Sequence, residues 1–511
     1  ASSLYGSDAI SGVINIITNE PKDVVAFSSN SSYTRKNQFS QGLNLDIAQG
    51  KIGSYTSYKY DHSDGWQNSH LTEDGEDIIE TIAPLSLGYS SNNFSQKFTY
   101  DATDQLSNGG YYNRGLERPV EREDITGGSK YNTTYEGYNW GAGAKYKLSK
   151  RNVIQFDYSG NNYASRYKYL IENSGYLPGQ YALTKLQKFH DAELKGIFGF
   201  TTNSTTVFGV DYRREVLRRP DSDLDKSVYT ASAYGQHEVK LWNHLTGVVG
   251  VRYDHHEQTG GRFTPKVAAM YNIGNFNVRA TYAAGFRAPG IDELYYHMFK
   301  KTMGTRATIS LGDENLDPER SNYYSINMEY RTNRFSASVT GYLNYVKNMV
   351  TSKSTKFDDL PEAEQNQLRE EFPEISDLSS TKNLSVKNYF NFEKATVKGF
   401  EVNLNGNLFP GFTLAGNYTY AYGRGLNEGG EWQNIERSIR HTHSWSDYTL
   451  NLNLNGRLQS KVYYPGDADG NAPGYGIWNL NTRHTFDGFR NFVIEPGIGI
   501  DNIFNKKDNR P

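Results

Sequence analysis

Cysteine is absent from the 511 residues, which excludes a disulfide scaffold and fits an oxidising compartment where a stray thiol is unwelcome. No apolar run reaches the ~18 residues of a membrane-spanning helix, and the mean hydropathy is −0.72, so a helical membrane protein is excluded. An excess of either charge is lacking too. Lys+Arg number 54 against 57 Asp+Glu, a net charge of −3, without the basic surplus of a nucleic-acid binder; no nucleic-acid partner is expected. Hydrophobic residues are scarce at 36%, against roughly 45–50% (glycine included) in ordinary globular chains, so one large conventional core would be hard to fill. No nucleophile elbow, phosphate loop or zinc signature occurs, and no catalytic role is expected.

What is present is aromatic and small: 40 Tyr, 25 Phe, 6 Trp and 49 Gly. Aromatic content of 14% argues against disorder. The combination points to an all-β, transmembrane β-barrel, whose strands alternate apolar and polar residues so that the average stays low. The alternation is visible. Phe276, Val278, Ala280, Tyr282, Ala284 and Phe286 alternate with Asn277, Arg279, Thr281, Ala283 and Gly285. Phe335, Ala337, Val339, Gly341, Leu343 and Tyr345 repeat the pattern, and so do Leu450, Leu452, Leu454, Gly456 and Leu458. A soluble sandwich also alternates, but its strands are usually only ~5–6 residues long. Its core could not bury the Asn, Arg, Glu and Lys of the second face unpaired.

Tight turns at 149–152, 272–275, 331–334, 410–411 and 487–491 alternate with long polar loops near 64–89, 115–135, 288–321 and 351–390. Short turns on one rim and long loops on the other is the outer-membrane pattern. Eleven strands are expected to run outward, starting near 24, 52, 106, 153, 204, 244, 276, 335, 411, 448 and 491. Ten are expected to return, starting near 38, 90, 136, 183, 227, 263, 322, 396, 435 and 475. The expectation is therefore about 21 of 22 antiparallel strands, the last being absent from the sequence. The return strand at 434–446, with Arg437, Arg440, His441 and His443, is too short and too polar to span comfortably and is the weakest of the set; either the bilayer is locally thin there or residues near it are missing.

Residues 1–23 do not read as a barrel strand. Leu4, Tyr5, Gly6, Ser7, Ala9, Ile10, Gly12, Val13, Ile14, Asn15, Ile16, Ile17 and Thr18 resemble the end of the plug domain of TonB-dependent outer-membrane receptors, which leads directly into the barrel. Phe286-Arg287-Ala288-Pro289 followed by Glu293-Leu294-Tyr295 is similar to that family's F-R-A-P…E-L-Y. Asn315-Leu316 with Pro318-Glu319 is similar to its N-P-N-L-K-P-E, although Asp313 and Glu314 replace the first Asn and the Pro. Asp501–Lys506 resembles its penultimate-strand ending. The resemblance implies residues 1–23 as the end of a plug, 24–511 as a barrel lacking its last strand, and a location in the bacterial outer membrane surrounded by its lipid. It also implies active transport driven by TonB and its inner-membrane energising complex, engaged through a plug region upstream of this sequence. No resident cofactor is required.

Within the family the chain looks closest to heme receptors, which place a histidine between these two motifs. That loop holds His297 here, the candidate axial ligand of heme iron, with Tyr295, Tyr296 and Met298 as further ligands or pocket walls. Heme is therefore the first cargo expectation, cobalamin the second and ferric siderophores a third; a solvated loop histidine is the plain alternative for His297. A surface lipoprotein or a hemophore is a possible partner. His255-His256, and His441 with His443 on one strand face, are weaker metal candidates. Residues 358–378 carry Leu360, Leu368 and Phe372 at helical spacing behind Pro361, with Asp358 and Asp359 as candidate caps, and predict a short helix in an extracellular loop. The tyrosines suit the boundary between lipid and water. From other classes, a passive porin or barrel adhesin is disfavoured by the plug-like segment, and a barrel enzyme by the lack of a catalytic set.

Overall fold

The computed structural model describes residues 20–506, apart from 23, 36, 66–87, 104, 120–130, 173–174, 302–306, 379, 410–411, 427–431, 448–451, 460–461, 464–470, 473 and 490–491. The plug-like residues 1–19 thus lie outside the described residues, as do the side chains of His441 and His443.

Period-two alternation produces one large sheet of 23 strands. All but two form a meander in chain order, each strand antiparallel to the next, from Ala26–Thr34 and Gln38–Gln49 through to Tyr475–Arg483 and Gly497–Ile500. Strand starts fall close to the expected ones, for example Ile52, Leu106, Asn152, Ser204, Phe276 and Phe335. The polar return segment forms a strand as well, Trp432–Asp447, in register with Phe412–Leu426. Among the described residues the sheet stays open, because Ala26–Thr34 and Gly497–Ile500 each pair along one edge only. The last ladder covers four residues, from Leu480↔Ile500 to Arg483↔Gly497. Pro496 precedes it without an N–H to extend it, and a separate small hairpin, Phe486–Phe489 with Phe492–Ile494, interrupts the chain before it.

The sheet is inside-out relative to a soluble protein. Val249 is 60% and Phe263 70% exposed, whereas Arg252 is 4% and Asp254 0% exposed. Exposed apolar and buried charged residues alternate along single strands, which is the lipid-and-lumen division of a transmembrane barrel. No described helix is long and apolar enough to cross a membrane.

The meander is interrupted once in a way that matters. Between Phe276–Arg287 and Glu319–Arg331 the chain leaves the sheet to form helix α1 (Ile291–Tyr295) and a hairpin of His297–Lys301 with Ala307–Leu311. The second hairpin strand then pairs in parallel with the start of Leu384–Phe409, Ala307↔Leu384 to Leu311↔Asn388. Helix α2 (Glu362–Glu371), flanked by 3₁₀ turns at Phe357–Asp359 and Pro373–Asp377, covers this unit. Ile309, Phe357, Leu368, Phe372, Ile375, Leu384 and Val386 form its buried core. Two stretches that read as polar loops therefore fold into a cap with a hydrophobic core of its own, because their few apolar residues converge from segments distant in sequence. Helix α2 falls where predicted, with two differences. Pro361 occupies the N-cap position without a side-chain cap, and the Asp358 carboxylate instead accepts the Thr381 hydroxyl at 2.6 Å.

Candidate functional site: the inner wall and mouth beneath the cap

Inward positions at spacing two on neighbouring strands carry alternating charge. Asp191, Glu193 and Lys195 lie beside Asp211, Arg213 and Glu215, and Arg252, Asp254 and His256 complete the patch, all lining a cavity of about 390 Å³. Arg252 reaches Asp211 and Asp254, each at 2.7 Å, and the Ser232 hydroxyl donates to Asp254 at 2.8 Å. Lys195 pairs with Glu193 at 2.5 Å and Arg213 with Asp191 at 3.2 Å, and the Tyr234 hydroxyl also donates to Glu193. Buried charges survive only when paired and hydrogen-bonded; the buried Arg252 and Asp254 are paired through Asp254 Oδ1, whereas Asp254 Oδ2 has no hydrogen-bond partner among the described residues. Of these only His256 was singled out from the sequence, as a weaker metal candidate, although D-x-E-x-K, D-x-R-x-E and R-x-D-x-H on the polar face of three strands was a readable signal.

Above this patch the F-R-A-P motif closes the base of the cap. Arg287 donates to Glu293 at 2.9 and 3.2 Å and to Glu319 at 2.8 Å. Glu293 accepts the Gly290 N–H at 2.7 Å, and Glu319 accepts the Val350 N–H at 2.9 Å. One guanidinium thus ties the top of its strand, helix α1 and the two following strands, with the two-pronged geometry arginine offers carboxylates. Phe286, Ala288 and Leu316 are buried beside it, as is Pro289, and Leu316 packs with Leu294 and Val350. Asn315 is exposed and turns its N–H and amide onto Asp313. The two motifs, separate in sequence, are brought together as a clasp.

At the mouth, cations lie over phenol rings. Arg219 is 5.3 Å from the Tyr296 ring centre and donates to its hydroxyl at 2.7 Å. Lys226 is 4.8 Å from the Tyr295 ring, and Lys387 4.8 Å from that of Tyr389. Tyr295 and Tyr296 also pack on the buried Leu217, Leu224, Val228 and Ile291. Burial raises the pKa of both phenols, with Glu314 and Glu257 adding to it at Tyr295, while Arg219 partly offsets it at Tyr296. Both are therefore neutral hydrogen-bonding groups at physiological pH, not phenolates. His297 begins the cap hairpin; its ring stacks on Phe372 at 4.4 Å and its Nε2 lies 3.3 Å from Glu371. Met298, on the opposite face of the hairpin strand, is buried. Tyr295 and Tyr296 thus face the mouth, whereas His297 fastens the hairpin to helix α2.

A sequence profile described as "TonB dependent receptor-like, beta-barrel" matches residues 17–503. The chain belongs to the TonB-dependent receptor family. Its barrel is an outer-membrane barrel, TonB is the partner that membership implies, and the relatives are receptors and transporters, not enzymes. This receptor is 23% identical over 583 aligned residues to the ferric enterobactin receptor PirA of Pseudomonas aeruginosa, covering 99% of this chain and 74% of that one. It is 23% identical over 367 residues to the vitamin B12 transporter BtuB of Vibrio cholerae, covering 69% of this chain and 54% of that one. The receptor chain thus spans about half the length of the cobalamin transporter. Its backbone resembles the crystal structure of the siderophore receptor PirA from P. aeruginosa, with a TM-score of 0.70 at 18% identity over 99% of this chain and 82% of that one. It also resembles the FrpB iron transporter of Neisseria meningitidis, with a TM-score of 0.69 at 12% identity over 98% and 78%. These two likenesses concern the fold alone.

Proposed function

We propose that this receptor imports an anionic ferric siderophore across the outer membrane, drawing energy from TonB, with residues 1–23 belonging to the plug and 24–511 to the barrel. The observation that carries the cargo assignment is the mouth: Arg219, Lys226 and Lys387, each over a phenol ring. Positive charge beside aromatic faces suits a negatively charged iron chelate built of aromatic ligands, since the cations neutralise it and the rings pack against its ligand rings. The siderophore receptor PirA, aligned over 99% of this chain, supports the same reading. Cobalamin is the second reading, favoured by the BtuB alignment.

Heme, the first expectation from the sequence, moves to third. An axial ligand needs an imidazole nitrogen aimed into a pocket, whereas the His297 ring lies against Phe372 with Nε2 3.3 Å from Glu371 and is not part of the lining of the 390 Å³ cavity. The relatives named above are receptors for ferric enterobactin and other siderophores, a vitamin B12 transporter and an iron transporter, none named for heme. The deciding experiment is uptake by an iron-starved strain expressing the full-length gene, comparing radiolabelled ferric catecholate, cobalamin and hemin. Uptake of the catecholate, reduced about tenfold or more by Arg219→Ala with Lys226→Ala, supports the proposal. Uptake of cobalamin or hemin without the catecholate sinks it.

A further inference from the structure

The wall and the cap share two strands. Phe335–Lys356 and Leu384–Phe409 keep one pairing register from Phe335↔Gly406 in the wall to Lys356↔Ser385 in the cap, so face parity carries across the join. Tyr389, Lys387 and Ser385 continue the lumen side of the wall, whereas Val386 and Leu384 turn outward into the core beneath helix α2. The cap sheet is thus the barrel wall prolonged, with helix α2 laid on its outer side. At the join Asn348 adopts a φ of 55°, a left-handed conformation that asparagine tolerates better than most residues. Its neighbours Lys347 and Met349 stay paired with Lys394 and Phe392.

Asn391 closes this break. Its side-chain oxygen accepts the Asp317 N–H at 2.9 Å, and its side-chain nitrogen donates to the Asp317 and Asn348 carbonyls at 3.0 and 2.7 Å. One primary amide thus bonds Asp317 in both directions, as a neighbouring strand would, and uses both of its hydrogens. The Asn348 amide donates to the Asp317 carboxylate at 3.3 Å. Beside it the Val350 N–H is taken by Glu319, which Arg287 already holds. Segments that open easily have few buried contacts and exposed backbone bonds; here side-chain amides fill the positions where the ladder lapses. Two residues above Asn391, Tyr389 packs on Leu294, Leu316 and Val350. Four above it, the Lys387 ammonium lies 3.1 Å from the Tyr389 hydroxyl. A cation and a ring of the mouth therefore stand directly on the join.

We propose that Asn391, Asn348 and Asp317 are positioning residues. They fix the cap to the wall as a rigid vestibule that holds Lys387 and Tyr389 over the mouth before cargo arrives, not as a lid that closes after it. The part given to Lys387 and Tyr389 rests on the siderophore reading above; the rigidity of the join does not. The test uses the full-length receptor in detergent micelles. Spin labels go on Asn366→Cys in helix α2 and Gln258→Cys in the turn between Leu245–His256 and Gly260–Ile273; the chain carries no cysteine of its own. A ferric tris-catecholate is the cargo probe. Adding it shifts the label distance by less than about 2 Å, the range of a preformed site. Without any cargo Asn391→Ala broadens the distance distribution, while the cap core still resists proteolysis within 297–386. The same variant weakens catecholate binding about tenfold, since one cation and one ring are no longer preorganised, and keeps the maximal uptake rate. Asn348→Gly retains the left-handed backbone and the carbonyl that Asn391 holds, and behaves as wild type. A larger shift on adding cargo to the wild type overturns the proposal, and so does an Asn391→Ala distribution as narrow as that of the wild type. Failure of the catecholate to bind counts against the siderophore reading alone, because the cargo-free distributions still decide the join. Should Asn391→Ala lose the heat-modifiable mobility of a folded barrel, Asn391→Asp, which keeps the acceptor and loses both donors, takes its place, and a narrow distribution there overturns the proposal.

Discussion

The barrel wall and the extracellular cap solve opposite problems with the same chain. In the wall each strand is one residue thick, and parity alone decides whether a side chain meets lipid or lumen. Val251 and Tyr253 are exposed while Arg252 between them and Asp254 beside them are buried. In the cap, Ile309, Phe357, Leu384 and Val386 are fully enclosed, as in a small soluble domain. The wall is held by backbone ladders and paired charges, with little apolar burial inside the sheet. The cap is held by apolar burial, with few ladder residues.

The difference can be broken at its strongest point first. Phe357→Ala removes a buried ring and costs the cap about 3–5 kcal/mol. Limited proteolysis then cuts within 297–386 while the barrel keeps its heat-modifiable mobility; loss of both together refutes their independence. Val339→Arg places a charge on the lipid face of Phe335–Lys356 and costs about 2–4 kcal/mol near mid-membrane. That loss appears in barrel folding into bilayers, with cap proteolysis unchanged once the barrel has folded. Arg287→Ala leaves Glu293 and Glu319 facing each other and costs about 2 kcal/mol, less than a fully buried pair because the guanidinium is partly exposed. Its signature is loss of protection in both regions, since the clasp belongs to both.

The smallest effect concerns acid. Gln367 donates to Glu371, and His297 adds to it, holding that carboxyl below its ordinary value. A lowered carboxyl pKa gives stability that is complete above the ordinary carboxylate range and is lost as pH falls through the lowered value. After solvent screening of an exposed pair the contribution is a few tenths of a kcal/mol. Glu371→Gln at neutral pH therefore cuts like wild type in acid, and greater protection of the wild-type cap on acidification contradicts the assignment.

How much of this was legible follows from how local each signal is. The run from Phe276 to Phe286 placed a strand within a residue of its observed start, because alternation is written in consecutive positions. The plug-like segment and the two motifs identified the family from short contiguous stretches. The cap core was hidden, because it depends on Ile309 meeting Val386 through a parallel pairing 77 residues apart. The clasp lay between: Arg287, Glu293 and Glu319 were visible as motif letters, but only folding makes them one ion cluster. His297 was read as a candidate iron ligand from its position between motifs; its contacts with Glu371, the last residue of helix α2, and Phe372, which follows it, come from a neighbour the local sequence does not announce.

The lengths of two strands also fix how far the receptor stands out. Leu384–Phe409 has 26 residues and its neighbour Phe335–Lys356 has 22. At ~3.3 Å per residue and ~40° tilt the longer one rises about 65 Å, of which a ~25 Å band lies in lipid. The cap rides on the remaining height, well clear of the headgroups. An antibody or bacteriophage approaching the cell meets the cap before any other described part of the receptor. Within the cap, variation that escapes such an encounter falls on surface positions, because the core positions hold the unit together.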